Sequence, residues 1–165
     1  MFENLKSGDT YYYTGVIYTS RDAAHMRLEK MFKNGEKLPV DFSNSLIYYA
    51  GPTPTPPGKA VGAIGPTTSS RMDSFAYLMK EFGVIGTIGK GPRSAECKEI
   101  YNRDKILYFI TTGGCGALLS KCVKKCEVVA FDDLGTESIK RLEVENFPIT
   151  LAYDYFGNNI FERNK

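Results

Sequence analysis

No apolar run in this 165-residue chain approaches the ~20 residues that a membrane-spanning helix needs. No block of five or more Lys or Arg occurs either, and the net charge of +2 is close to balance. A nucleic-acid-binding face would carry a basic stripe, so that function has no electrostatic footprint here. The stretch MFENLKSGDT lacks the basic-then-apolar order of a secretory signal. Cytoplasmic residence is the expectation, with thiols reduced rather than paired. Machinery for self-contained catalysis is missing as well. There is no GxGxxG after a strand, no P-loop and no GxSxG elbow. The four cysteines, Cys97, Cys115, Cys122 and Cys126, form no CxxC pair. Cys122 and Cys126 are expected on one helical face, where a pair alone lacks further metal ligands.

What is present is a chain able to fold. Hydrophobic residues make up 42% and are spread along the whole length, which supports one domain over residues 1–165. Residues 10–19 (TYYYTGVIYT) read as a strand, being β-branched and aromatic. Ser20 stands where a helix N-cap belongs. Ala24, Leu28, Met31 and Phe32 then follow helical spacing, and Asn34-Gly35 closes that helix. Residues 46–50 read as a buried strand. The segment 51–58 (GPTPTPPG) reads as a stiff ordered loop, since its prolines forbid helix and ladder. Strands are expected at 60–64, 84–88, 106–111 and 128–131. Helices are expected from Ser70 to Gly83, over 95–102, from Gly113-Gly114 to about Cys126, and briefly over 136–141. Residues 149–153 and 160–161 suggest a closing hairpin. Strands interleaved with helices make this an α/β or mixed α+β chain.

Three corners share a chemical theme: 20–25 (SRDAAH), 65–71 (GPTTSSR) and 89–91 (GKG). Each puts a cation at or near the C-terminal end of an expected strand, the rim where open α/β sheets bind ligands. Arg21, Arg71 and Lys90 are thus candidates to converge on an anion. Two guanidiniums suit two carboxylates, because each presents a planar fork. The plainer alternative is surface charge or helix-end pairing. Thr67 and Thr68 lie in a run of hydroxyls longer than simple capping requires. A Thr hydroxyl is a poor base unless a cation stabilises its deprotonated form, and Arg71 lies four residues on. His25, the single side chain that ordinarily titrates near neutrality, and Asp22 read as supporting groups.

Together these corners resemble the β subunit, or C-terminal domain, of class I fumarases and L-tartrate dehydratases, the iron-sulfur hydro-lyases. The stretches that carry the likeness are TSRDAAHMRL (19–28), LIYYAGP (46–52), GPTTSSRMD (65–73), IGKG (88–91), TTGGCGALL (111–119) and residues 128–158. Any one is weak; the ordered set is specific. The resemblance implies an α/β fold of the swivelling β/β/α three-layer type. It implies reversible addition of water to a dicarboxylate, fumarate or tartrate, at a [4Fe-4S] cluster. That cluster would be held by the partner α subunit and not by this chain, and one iron would act as Lewis acid. Cys115 falls where the family has a small residue. Carried over, Thr67 is the general base and Arg71 its stabiliser; Arg21, Arg71 and Lys90 bind substrate, supported by Asp22, His25 and Thr68. The general acid would come from the partner, so a hetero-oligomer is expected. A partnerless anion-binding module is the alternative from another class.

Overall fold

A computed structural model describes residues 1–111 and 116–162. The β-branched run Thr10–Thr19 forms β1, with the expected bounds. Helix α1 (Asp22–Lys33) turns Ala24, His25 and Leu28 into the core. It ends at Asn34, and Gly35 takes the left-handed φ of +68° that lets the chain leave. Strands β2 (Leu46–Tyr48), β3 (Gly86–Gly89) and β4 (Leu107–Ile110) lie beside β1 in parallel. Helix α2 (Ala76–Glu81) precedes β3, and α3 (Ala95–Asp104) precedes β4. The chain continues through α4 (Gly116–Ser120), β5 (Val123–Ala130) and β6 (Ile139–Tyr153).

β6 closes the sheet. It runs antiparallel to β1 along one edge, while its other edge meets β5 and then β4. The order β1-β2-β3-β4-β6 therefore returns to β1, with β5 outside the ring on β6. Alternation along the strands feeds two apolar layers. Leu46, Tyr48, Ile88, Phe109, Leu142 and Phe147 belong to one cluster, formed mainly by the strands. Ile47, Tyr49, Leu28, Met72, Leu78 and Tyr101 belong to the other, between sheet and helices. Each such side chain contributes roughly 1.5–3 kcal/mol relative to exposure. All four parallel strands end at the same rim. Among the described residues no helix is long and apolar enough to cross a membrane.

Several elements differ from the sequence expectation. Residues 60–64 form no strand; Thr53 and Ala63 instead exchange hydrogen bonds of 2.8 and 2.9 Å, tying the Pro-rich segment into a strap. From Ser70 the expected helix opens as a 3-10 helix (Ser69–Phe75) before becoming α2, though Met72, Phe75, Met79 and Phe82 are buried as the spacing implied. Phe32 stays 38% exposed and touches Phe82 edge-on. The expected helix start at Gly113-Gly114 and Cys115 lie outside the described residues. That helix does not reach Cys126: α4 stops at Ser120, and the β-branched Val123, Val128 and Val129 carry β5. Cys126 is a ladder residue opposite Leu142, so it shares no helical face with Cys122.

Residues 136–141 are not a helical unit, because a 3-10 helix covers Asp132–Glu137 and β6 begins at Ile139. The expected hairpin is replaced by the single 15-residue β6 and a 3-10 turn (Ile160–Glu162). Its alternation changes phase midway. Leu142 and Val144 are buried, Glu145 and Asn146 are exposed, and burial resumes at Phe147, Ile149 and Leu151. Asn146 has a positive φ of 52° at this irregularity, opposite the register shift in β1 between Tyr13 and Gly15.

Candidate active site

The first corner leaves β1 at Thr19. Ser20 does not cap α1 with its side chain; the cap residue is Arg21, in extended backbone. The orphan N–H of Ala23 is met from elsewhere, by Glu137 Oε1 at 3.1 Å. Asp22, in the first turn, accepts from Arg71 Nη2 at 2.6 Å. Arg21 Nε lies 3.7 Å from Asp22 Oδ2 and 3.6 Å from Glu137 Oε1. Those distances permit ion pairing but no hydrogen bond. Arg21 Nε is buried without a hydrogen-bond partner among the described residues.

The second and third corners are stitched to the ends of β2 and β3. Thr67 N–H donates to the Tyr49 carbonyl at 2.7 Å, and Thr68 bridges to Lys90 in parallel fashion. Ser69 N–H donates to the Lys90 carbonyl, and Lys90 N–H returns a bond to Ser69 Oγ, both at 3.0 Å. Thr67 is half-buried, whereas Thr68, Arg71 and Lys90 are exposed. The rim therefore gathers Arg21, Asp22, Thr67, Thr68, Arg71 and Lys90 onto adjoining segments. Arg71 is directed at Asp22. A cavity of about 500 Å³ lies away from these residues, between the strap and α4, lined by Pro56, Lys59, Val61, Ala117, Lys121 and Val123. The rim itself is exposed at Thr68, Arg71 and Lys90.

His25 differs from its sequence reading, because it does not titrate near neutrality. Its ring is 1% exposed, and burial pulls the imidazole down to about 4, with the nearby Arg93 charge acting in the same direction. Nδ1 lies 2.8 Å from Ser20 Oγ and 3.0 Å from the Arg21 carbonyl, so the neutral ring ties down the backbone of a rim residue. Folding therefore favours the uncharged ring. Its stabilising effect is full above the unfolded value near 6.5 and fades as pH falls towards 4. The stability advantage of wild type over His25→Gln should shrink by roughly 3 kcal/mol between pH 7 and pH 4 in urea titrations. A constant difference would show that His25 titrates alike in both states.

Two further groups escaped the sequence reading. Glu137 both caps α1 and faces Arg21. Arg93 has a side chain with 0% exposure, and its Nε donates to Asp73 Oδ1 at 2.5 Å. Nη1 reaches Tyr101 OH at 3.3 Å and Thr87 Oγ1 at 3.4 Å, and Nη2 reaches Tyr49 OH at 3.3 Å. The guanidinium lies 5.0–5.2 Å from the ring centres of Tyr49, Tyr101 and Tyr108, within cation–π range. The segment GPRSAE reads as polar, and an Arg there looks solvated. The available signal was Asp73, two residues past Arg71 in a stretch already singled out.

The three thiols among the described residues do not fit an iron-sulfur cluster. Cys97 is buried in α3, and burial pushes its thiol up to about 12. Burial also raises Cys122 and Cys126, away from the thiolate that a metal needs. Among the described residues no three His, Cys, Asp or Glu side chains are grouped to hold a metal.

Fold and rim define an α/β domain that collects cations, a hydroxyl and carboxylates where parallel strands end, suited to an anionic ligand. Residues 1–164 match the family described as Fumarase C-terminus, and the chain belongs to that family. It is 40% identical to a Methanocaldococcus jannaschii protein provisionally named L(+)-tartrate dehydratase subunit beta, over 97% of this chain and 85% of that one. The L(+)-tartrate dehydratase subunit beta of Escherichia coli is 33% identical, over 99% and 82%. The anaerobic class I fumarate hydratase of Escherichia coli is 38% identical over 91% of this chain, which spans only 28% of that enzyme. These names describe enzymes that add or remove water, so the family is one of hydro-lyases.

Proposed function

We propose that this chain is the β subunit of a [4Fe-4S] hydro-lyase that interconverts fumarate and (S)-malate. The placement of Arg21, Thr67, Arg71 and Lys90 on adjoining segments of one rim supports the reading. Lys90 Nζ has no ion-pair partner among the described residues, and the buried Arg21 Nε makes no hydrogen bond, although it lies within ion-pair distance of Asp22 and Glu137. Arg21 and Lys90 would hold the substrate carboxylates. Thr67 would take the proton from the malate carbon beside a carboxylate as hydroxyl leaves the neighbouring carbon. Arg71 would exchange Asp22 for this centre, supporting the Thr67 alkoxide and touching substrate. Asp22, His25 and Thr68 would set the rim's backbone and charge.

The thiols among the described residues do not suit the cluster, so an α subunit would hold it. An open rim would become a closed pocket between two subunits, a usual place for ligands. The closed sheet with helices packed on it fits the swivelling β/β/α three-layer type. L-tartrate dehydration is the second reading, favoured by the similar length of the tartrate dehydratase subunits. Fumarate is supported by the anaerobic Escherichia coli fumarate hydratase, 38% identical against 33% for the tartrate dehydratase subunit of the same organism, whereas the 40% identical Methanocaldococcus jannaschii relative supports tartrate.

Co-expression with an iron-sulfur α subunit under anaerobic conditions tests the reading. The complex should hydrate fumarate, and the isolated chain should be colourless and inert. Malate turnover by this polypeptide alone would refute the two-subunit assignment. A complex that acts on none of fumarate, malate and tartrate would leave an anion-binding module as the function.

A further inference from the structure

The rim presents a mechanical problem. Thr67 and Arg71 sit on one irregular segment, Lys90 on another, and neither lies in a regular ladder. Their separation must still hold to a fraction of an ångström for proton transfer and carboxylate binding to act on one molecule.

We infer that Ser69, Asp73 and Arg93 are positioning residues that lock these two segments together beneath the rim. Ser69 is the shallow lock. Its backbone N–H and its Oγ make the two reciprocal bonds to Lys90, and its side chain is fully buried. The Tyr108 hydroxyl, rising from β4, reaches Ser69 Oγ at 2.8 Å and the Gly91 carbonyl at 2.6 Å, so it braces both segments at once. Gly89 completes the fit, because a Cβ there would run into Ser69 Oγ. Asp73 and Arg93 are the deep lock. Asp73 belongs to the Thr67 segment and accepts from Arg93 Nε and from Ser94 N–H at 2.7 Å, both on the Lys90 segment. Arg93 is anchored in turn, its N–H donating to Tyr153 OH at 2.9 Å. None of the three needs to touch substrate; Ser69 and Arg93 are buried.

The inference rests on the proposed hydro-lyase reading for its activity readout, but not for its structural one. Hydrogen exchange of the wild-type chain provides the latter. The Ser69 and Lys90 amides should exchange as slowly as those of β3, although they lie outside it. Exchange at the rate of exposed loops would overturn the lock. In the assembled enzyme, Ser69→Ala should lower kcat about 10²-fold, with a smaller rise in KM and a melting temperature within a few degrees of wild type. Wild-type kcat in folded Ser69→Ala would also overturn it. If that variant does not fold, the wild-type exchange pattern decides. A wild-type complex inert towards fumarate, malate and tartrate would refute the functional reading, and exchange would again decide the lock alone.

Discussion

Thr67→Ala in the assembled enzyme should lower kcat by about 10²- to 10⁴-fold, the usual contribution of a positioned general base. KM should move only a few-fold. The split follows from what the residue holds. Thr67 fixes its place through its backbone, whose N–H donates to the Tyr49 carbonyl, and alanine keeps that bond. Its half-buried side chain supplies one hydroxyl, and in the proposed reading substrate anchoring falls to Arg21 and Lys90. Thr67→Ser should retain a large part of the rate, since it keeps the oxygen. Steady-state kinetics on malate checks both variants. A near-normal kcat in Thr67→Ala would remove this residue as the base and shift the search to Asp22 and Glu137, the carboxylates within ion-pair distance of Arg21.

Asp73→Asn should destabilise the chain by about 3–5 kcal/mol, because it strands a cation with no access to water. Arg93 has 0% side-chain exposure and Asp73 12%, so solvent cannot replace the lost counter-charge. The tyrosine hydroxyls and rings around the guanidinium offer dipoles and quadrupoles, not a full negative charge. For a chain of this length the loss corresponds to a fall in melting temperature of about 6–20 °C. Replacing both partners, Arg93→Met with Asp73→Leu, should recover most of it, since two apolar side chains carry no desolvation cost. Tyr49, Tyr101 and Thr87 still bond one another through hydroxyls at 3.0–3.2 Å, so the double variant leaves them partnered. Thermal denaturation of the three proteins decides the matter. Equal melting temperatures for wild type and Asp73→Asn would show that the pair is not a stabilising one.

Much of the parallel half was legible in the sequence. β1 and α1 are local objects: a β-branched run, then an apolar stripe, then Asn34-Gly35. The corner residues stood out for the same reason, since they lie in consecutive positions, although the strand expected before 65–71 does not form. What stayed hidden depends on partners far along the chain. Residues 60–64 have a strand-like composition, yet their backbone partner is the neighbouring Pro-rich strap, so no ladder forms. Only residues 149–153 of β6 read as a strand, because its alternation slips at Glu145 and Asn146 and its start read as helical turns over 136–141. Cys126 was assigned to a helix because spacing of four fits one, but its position is set by pairing with Leu142. Arg93 was missed because charge suggests solvent, and only the three-dimensional arrangement shows Asp73 and three tyrosine rings enclosing it. His25 carried its ordinary pKa in the sequence reading, and burial moved it.

The ring closed by β6 has a consequence for synthesis. Thr10 and Thr150, which face each other across β1 and β6, are 140 residues apart in sequence. A ribosome therefore delivers the first stave of the ring long before its antiparallel neighbour emerges. Until then β1 and β2 carry an unsatisfied edge, the kind that recruits other chains. Completion waits on a contact of very high sequence separation, which makes folding slow relative to helical domains of equal stability. The nascent chain should thus depend on chaperone cover until its last strand is released.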